Sequence, residues 1–151
     1  MAKYGRCLST GRNVVSQVYF GDSARVKEWM SQRLQHPLAN EAHTTIALVE
    51  GERIRGAVWL EGYNGVSISI HVAGEGRHWA TKKYLTSVFH YVFDVLKCKK
   101  LLGTVLESNL AARRFDEGLG FKLEAFIKDV APDGGLIIYS MTREQCKFLE
   151  S

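Results

Sequence analysis

A glycine-containing turn between a strand-like run and a helix-like run holds the first residues that could do chemistry. In residues 70–83, IHVAGEGRHWATKK, two glycines would let the backbone approach a ligand closely. The first turn of a following helix offers unpaired N–H groups and the positive end of the helix dipole. Arg77, Lys82 and Lys83 add positive charge. The stretch predicts a phosphate site, although an ordinary turn before a helix has the same pattern.

Two side chains at the ends of strand-like runs are candidates for proton transfer. His71 ends the run before the glycine turn, and Glu107 ends a later run. Because imidazole exchanges protons near neutral pH, His71 is the candidate general base. Glu107 could take a proton by way of a water molecule. A strand histidine satisfied in the sheet and a solvated glutamate would give the same sequence pattern.

Composition excludes several classes of protein. The 151 residues are 46% apolar and 24% charged, which is typical of one globular domain. No run approaches the roughly 18 apolar residues of a membrane span, and the first residues lack the apolar core of a secretory signal. We therefore expect a cytoplasmic protein. The three widely spaced cysteines, Cys7, Cys98 and Cys146, favour reduced thiols, and none has zinc-site spacing, so no metal is expected.

Periodicity predicts a mixed α/β chain whose helices and strands position these residues. The predicted elements, in order, are a strand over 14–20, a helix over 23–34, a loop over 35–42, three strands over 44–49, 53–60 and 65–72, a helix over 79–96, a strand over 101–106, a helix within 108–121, strands over 121–130 and 136–141, and a short final helix after Thr142. Short glycine turns make the three middle strands an antiparallel meander. The long helix predicts a right-handed crossover to a parallel strand.

The stretch SNLAARRFDEGLGF completes a pattern that resembles the GNAT acyltransferase superfamily. A meander, a glycine-containing turn, a long helix and a strand precede a motif formed by Asn109, Ala112, Glu117, Gly120 and Phe121. Further matches in order are WATK, ESN, RRF, PDG and REQC, which make the chain most similar to small phage-encoded and ribosomal-protein-type acetyltransferases. The resemblance implies the GNAT fold, an α/β (α+β) architecture with a mixed central sheet and helices on both faces.

The resemblance also implies acetyl-coenzyme A (acetyl-CoA) as a substrate. Its pantetheine arm would pair with the backbone of Ile70 and Val72, in a gap between the last meander strand and the next parallel strand. Its diphosphate would lie on the amides that follow, and Asn109 and Phe115 would lie beside the arm. The implied phosphate-binding residues are Gly76, Arg77, His78, Trp79, Ala80, Thr81 and Lys82.

Three positions depart from the superfamily's pattern. Glu75 and His78 stand in the phosphate turn where the pattern has a basic or amide residue and a glycine. Asp116 stands where many relatives have a tyrosine that protonates the departing thiolate. Because aspartate is normally ionised at neutral pH, we expect Asp116 to be unable to donate a proton. An alternative function therefore stays open: a catalytically weakened phage protein that binds a host or virion protein.

The sequence favours an enzyme that transfers an acetyl group from acetyl-CoA to a primary amine. The acceptor could be a protein N-terminus, a lysine or a small amine, selected by the 35–42 loop and the hairpin at Pro132. Activity on nucleic acid is a weaker alternative, because the basic residues are scattered and no continuous basic face is predicted. No membrane partner is expected. A homodimer is compatible with the sequence.

Overall fold

The computed structural model describes residues 15–34, 38 and 42–150. The chain forms two compact units: the first runs up to Gly62 and resumes over His71–Val88, and the second contains Tyr63–Ile70 and the residues from Phe89 onward. In chain order the elements are β1 (Ser16–Phe20), α1 (Ser23–Ser31), β2 (His43–Glu50), β3 (Arg53–Glu61), β4 (Ser67–Gly74), α2 (Lys82–His90), a π-helical turn (Tyr91–Val95), β5 (Lys100–Leu106), α3 (Leu110–Leu119), β6 (Lys122–Ala131) and β7 (Gly134–Met141).

The described strands form a seven-stranded mixed sheet in the order β1-β2-β3-β4-β5-β7-β6. β1 pairs with β2 in antiparallel register, and β2 pairs with β3 in the antiparallel register that the predicted meander requires. β4 pairs with β5 in parallel, as predicted, and the right-handedness of the crossover stays a prediction. β7 lies antiparallel between β5 and β6. The fold predicted from the sequence, an α/β chain with a mixed sheet, is therefore confirmed.

In the first unit, α1 covers one face of the sheet. Val26 and Met30 of this helix are completely buried in a cluster with Ala47, Ile54 and Ala57. These residues recur with helical spacing on α1 and are apolar on the strands, so burying them is the main source of stability for this face. The predicted amphipathic helix is confirmed, although it ends at Ser31 and residues 32–34 form a turn.

On the opposite face, two glycines form a slot for the ring of Trp79. A β-carbon added to Gly56 of β3 or Gly74 of β4 would overlap the indole ring. Trp79 is 9% exposed and meets Tyr84 of α2 edge to face, with ring centroids 6.1 Å apart. The Tyr84 hydroxyl donates to the Ile46 carbonyl of β2 at 2.6 Å. These contacts hold the turn after β4 against the sheet, and α2 therefore begins at Lys82 and not at Trp79 as predicted.

In the second unit, the long helix ends in a π-helical turn that changes which residues are buried. The Leu96 N–H donates to the Tyr91 carbonyl, five residues earlier, at 2.9 Å. A π turn holds an additional residue and so rotates the following side chains relative to an α-helix. Phe93 is consequently buried at 3% exposure, whereas Val95 is 56% exposed.

The helix of the SNLAARRFDEGLGF stretch is confirmed, with both of its ends defined by single residues. Asn109 is the N-cap, and its side-chain oxygen accepts a hydrogen bond from the Ala112 N–H at 3.1 Å. Gly120 ends the helix in the left-handed region, at φ 115°, which glycine adopts without strain. The cap at Asn109 fixes where the helix begins after β5.

The predicted final helix after Thr142 is wrong, although its capping box forms. Thr142 and Gln145 exchange the two hydrogen bonds of that motif, at 2.9 and 3.3 Å. The following residues form turns, because Cys146 is buried and the Phe148 ring stacks on Phe89 with centroids 5.5 Å apart. Tertiary packing therefore overrides the local helix signal.

Several sequence expectations fall outside the described residues, namely those for Val14, for Cys7 and for most of the 35–42 loop with Pro37. None of the helices in the described part of the chain has the length and apolar character needed to cross a membrane.

The glycine slot gives a test of the packing around Trp79. Replacing Gly74 by alanine places a methyl group inside the indole ring, so Gly74→Ala should lower the free energy of unfolding by about 1–3 kcal/mol. Urea denaturation followed by Trp fluorescence measures this change.

Gly118 provides the control, because it lies in α3 and an added β-carbon there meets no atom within 4 Å. Gly118→Ala should keep stability or raise it by up to about 1 kcal/mol through helix propensity. Equal stability of Gly74→Ala and the wild type would contradict the packing of Trp79 into this slot.

Candidate functional site

A carboxylate–imidazole pair lies on β3 and β4, the second of which leads into the glycine turn. The His71 Nε2 of β4 is 2.6 Å from the Glu61 Oε1 of β3, and the two side chains are 13% and 23% exposed. The Trp59 indole N–H donates to the other Glu61 oxygen at 3.3 Å. Glu61 is therefore held by two partners and in turn fixes the orientation of the His71 ring.

An aromatic stack supports this pair. His43 of β2 stacks on Trp59 with ring centroids 3.8 Å apart and planes inclined by 13°. Trp59 is 1% exposed. A buried, stacked indole cannot turn away from the Glu61 carboxylate, so this hydrogen bond is preorganised. Sequence analysis did not identify Glu61; its place two residues after Trp59, on the same face of a strand, was the available signal.

The turn after β4 begins with an acidic residue whose charge is compensated. The Glu75 carboxylate forms ion pairs with Arg53 and, at 3.3 Å, with Arg33. The Glu75 N–H donates to the Arg55 carbonyl at 2.8 Å. The sequence departure at Glu75 therefore does not leave an isolated negative charge beside the turn, because two guanidinium groups of the same unit neutralise it.

The remainder of the turn has the features of an anion site. Gly76 has φ +74°, and the Arg55 guanidinium lies 3.8 Å from the position of a β-carbon there. Arg77, His78 and Lys82 are exposed. Within the described residues, the N–H groups of Arg77, His78 and Ala80 form no hydrogen bond. These amides precede the helix, and unpaired backbone N–H groups in such a turn can bind an anion.

Thr81 caps the helix that follows this turn. Its hydroxyl oxygen accepts from the Tyr84 N–H at 3.2 Å. The cap fixes the first turn of α2 and satisfies one of the helix's orphan amides. The first unit thus brings together the predicted residues His71 and Val72 and the whole turn from Gly76 to Lys82.

In the second unit, two of the predicted residues already have structural roles. Glu107 Oε1 accepts from the Gly135 N–H at 3.1 Å. The Asn109 side chain caps α3. Ile70 is buried on β4 and Phe115 is half-buried on α3. The roles predicted for Glu107, Asn109 and Phe115 toward a substrate stay predictions.

Asp116 corrects an expectation drawn from the sequence. Burial raises the pKa of the Asp116 carboxyl from 3.8 to about 7, and the negative charge of Glu117 acts in the same direction. A substantial fraction of Asp116 is therefore protonated at neutral pH, whereas the sequence predicted an ionised side chain. Sequence could not show this, because the pKa depends on what packs around the carboxyl.

The cysteines within the described residues are buried and not activated. Burial raises the pKa of the Cys98 thiol, and the pKa of Cys146 is also raised chiefly by burial. A thiol with a raised pKa is a poor nucleophile at neutral pH. Both residues are therefore structural.

Comparison with known proteins identifies the fold. No model of a protein family matches this chain, and no curated protein matches its sequence. Among solved structures, mutant forms of the spermidine/spermine N-acetyltransferase SpeG from Vibrio cholerae are similar, with 12% identity and a TM-score of 0.67, over 87% of this chain and 96% of that one.

Two further structures have the same architecture. The protein yncA from Salmonella typhimurium, solved with its cofactor acetyl-CoA, matches over 86% of this chain and 94% of that one, with 14% identity and a TM-score of 0.65. A GNAT-family acetyltransferase from Bacillus anthracis matches over 66% of each chain, with 15% identity and a TM-score of 0.56. The resemblance to the GNAT superfamily is therefore confirmed at the level of the fold.

The raised pKa of Asp116 predicts a pH-dependent change in stability. The folded protein retains a proton on Asp116 that the unfolded chain releases above about pH 4, so this group's contribution to stability is lost as the pH rises through about 7. Asp116→Asn removes the cost of ionisation and should raise Tm more at pH 8 than at pH 5, by about 3 °C or more.

Asp129, an exposed acid on β6, is the matched control. The same substitution on this exposed side chain buries and uncovers nothing, so Asp129→Asn should change Tm equally at both pH values. A pH-independent effect of Asp116→Asn, measured by calorimetry, would contradict the raised pKa.

Proposed function

We propose that this chain is an acetyl-CoA-dependent N-acetyltransferase that acts on a primary amine by direct acyl transfer. The observation that carries the proposal is the Glu61–His71 pair, whose histidine lies on the strand leading into the candidate anion-binding turn, within a fold used by acetyltransferases. Direct transfer requires a bound thioester, an amine held near it and a group that removes the amine's proton.

His71 is the general base of the proposed reaction. A protonated amine must lose a proton before its nitrogen can attack the thioester. An imidazole can accept that proton near neutral pH. The Glu61 carboxylate, 2.6 Å from Nε2, stabilises the imidazolium that forms and holds the ring in place. The buried Trp59 keeps Glu61 in position through its indole N–H. Glu61 therefore positions the His71 ring, and His71 itself removes the proton from the amine.

The turn from Gly76 to Lys82 is the proposed binding site for the coenzyme A diphosphate. Its free amides and the exposed cations Arg77 and Lys82 suit an anion, and Trp79 anchors the turn to the sheet. The ion pairs with Arg33 and Arg53 compensate the negative charge of Glu75 beside this site.

The backbone of Ile70 and Val72 on β4 is proposed to pair with the pantetheine arm. In the second unit, Asn109 and Phe115 are proposed to contact the cofactor, and Glu107 remains a secondary candidate for proton transfer.

The acceptor is proposed to be a primary amine of a polyamine, a lysine side chain or a protein N-terminus. Among the similar structures, SpeG is a spermidine/spermine N-acetyltransferase, so polyamines are the first small amines to test. The reaction would take place in the cytoplasm, where acetyl-CoA is available. The Pro132 hairpin and the loop after α1 are the proposed specificity elements.

Binding of acetyl-CoA tests the first requirement of this proposal. Isothermal titration calorimetry should show 1:1 binding in the micromolar range, weakened at least about tenfold by Lys82→Glu, because this change places a negative charge beside the diphosphate. Lys122→Glu, the same change on the exposed face of β6, should leave the affinity unchanged. Absence of heat at millimolar acetyl-CoA would overturn the proposed function.

Kinetics of variants test the base. His71→Ala should lower kcat/KM by about 10²–10⁴-fold, and Glu61→Gln by about tenfold, with acetyl-CoA affinity retained in both. His90→Ala is the control, because His90 is 59% exposed at the end of α2 and forms an ion pair with Asp94. Unchanged turnover in His71→Ala would exclude His71 as the base.

A further inference from the structure

Arg55 is an additional residue in β3, because the strand contains a β-bulge at this position. Leu48 of β2 lies opposite Gly56 and Val49 lies opposite Ile54, so Arg55 has no register partner on β2. A bulge interrupts the regular alternation of a strand and redirects the side chain of the additional residue. The direction of the Arg55 side chain is therefore set by the bulge.

Packing against α1 fixes this bulge in place. Ile54 and Ala57 are three residues apart, yet both belong to the buried cluster that packs against α1. In a regular strand, residues three apart face opposite sides of the sheet. Both can be buried on one face because Arg55 is accommodated between them as the additional residue. Removing the bulge would therefore turn one of the two apolar side chains out of the core.

The Arg55 side chain reaches the turn that follows β4 within the first unit. Its Nη2 lies 3.8 Å from the position of a β-carbon on Gly76. Its backbone carbonyl accepts from the Glu75 N–H at 2.8 Å. Gly76 itself has no side chain, and its φ of +74° disfavours any other residue there. The Arg55 backbone is thus bonded to the start of the turn while its guanidinium lies beside the next residue.

The guanidinium of Arg55 presents an edge that suits an anion. Within the described residues, its Nε is buried and forms no hydrogen bond. The Nε–H and one Nη2–H of a guanidinium point in the same direction and can donate to two oxygens of one phosphate. A buried N–H without an acceptor is costly, so an incoming acceptor is favoured at this edge. The side chain is 27% exposed, which leaves it open to a ligand from solvent.

The neighbouring carboxylates leave the positive charge of Arg55 available. Glu75, the acid of the turn, is paired with Arg33 and Arg53. The Glu50 carboxylate lies 3.9 Å from the Arg55 Nη1, which is beyond hydrogen-bond distance. Glu50 is also 38% exposed, so solvent screens this attraction.

We propose that Arg55 is a direct ligand of a diphosphate group, bound through its Nε–Nη2 edge and supplied by coenzyme A. This inference rests on the proposed function and adds to its anion site a residue from another strand. The turn amides and the Arg55 edge are donors of fixed direction, whereas the exposed Arg77 and Lys82 chiefly add charge. Arg55 therefore selects for ligands that carry a diphosphate.

Calorimetric titrations of the full-length chain with acetyl-CoA, 3′-dephospho-acetyl-CoA and inorganic diphosphate test this contact. Arg55→Gln removes the charge and the two-atom edge, so the Kd of all three ligands should increase at least about tenfold. Because the proposed contact is to the diphosphate alone, KM for acetyl-CoA should rise while kcat stays within about twofold. Arg55→Lys keeps the charge but loses the edge, and it should raise the three Kd values about threefold or more. This more conservative variant tests the same edge if Arg55→Gln does not fold.

Arg143→Gln is the matched control. It removes the same charge from an arginine whose Nε already donates to Asp94 at 2.8 Å. Its Kd for each of the three ligands should stay within about twofold of the wild type, because a distant exposed charge is screened by salt. An equal loss of affinity in Arg143→Gln and Arg55→Gln would overturn the inference, since net charge would then account for the effect.

The outcomes separate this inference from the proposed function. If the wild type binds acetyl-CoA and the Arg55 variants bind it equally well, only the inference is overturned. It is also overturned if Arg55→Gln weakens acetyl-CoA but not its 3′-dephospho form, because Arg55 would then contact the 3′-phosphate. If the wild type binds diphosphate but not acetyl-CoA, the proposed function fails, and a loss of diphosphate in Arg55→Gln still supports Arg55 as its ligand. If the wild type binds neither, both are overturned.

Discussion

The contact between the Trp79 indole and the glycine slot of Gly56 and Gly74 is the constraint on which the first unit depends. A residue any larger than glycine on either strand would collide with the ring, so the turn after β4 could not lie flat on the sheet. Because the ring is fixed, the amides of residues 76–81 and the start of α2 at Lys82 are fixed with it. The proposed base, His71, lies three residues before the slot on the same strand, so its place is set by the same packing.

Glu75 and Asp116, two acids that depart from the superfamily's pattern, lie in opposite electrostatic environments. Glu75 is surrounded by the guanidinium groups of Arg33 and Arg53, which stabilise its negative charge. Asp116 is surrounded by apolar groups and another carboxylate, which favour its neutral form. A carboxyl group is therefore ionised and paired with cations in the first unit, whereas in the second unit a carboxyl group keeps its proton. Which outcome results depends on the neighbours, not on the acid itself.

The sequence predicted the order of strands and helices well, because these depend on short-range periodicity and capping residues such as Asn109 and Gly120. It misplaced the start of α2, because the tertiary slot for Trp79 is formed by glycines on two other strands. It missed Glu61, because a pair with His71 depends on strand register. It also misjudged Asp116, whose protonation depends on burial. The candidate turn could be predicted from its own residues. The Glu61–His71 pair and the ion pairs of Glu75 could not, because their partners lie on other elements that only the fold brings close.

The π-helical turn over Tyr91–Val95 changes how length is counted in this part of the chain. Such a turn contains one residue more than the α-helical turn it replaces, and it does so without adding a loop. The additional residue is accommodated inside the helix, and the Val95 side chain is exposed as a result. The chain therefore places one residue more than an α-helical turn would hold before it reaches the start of β5 at Lys100.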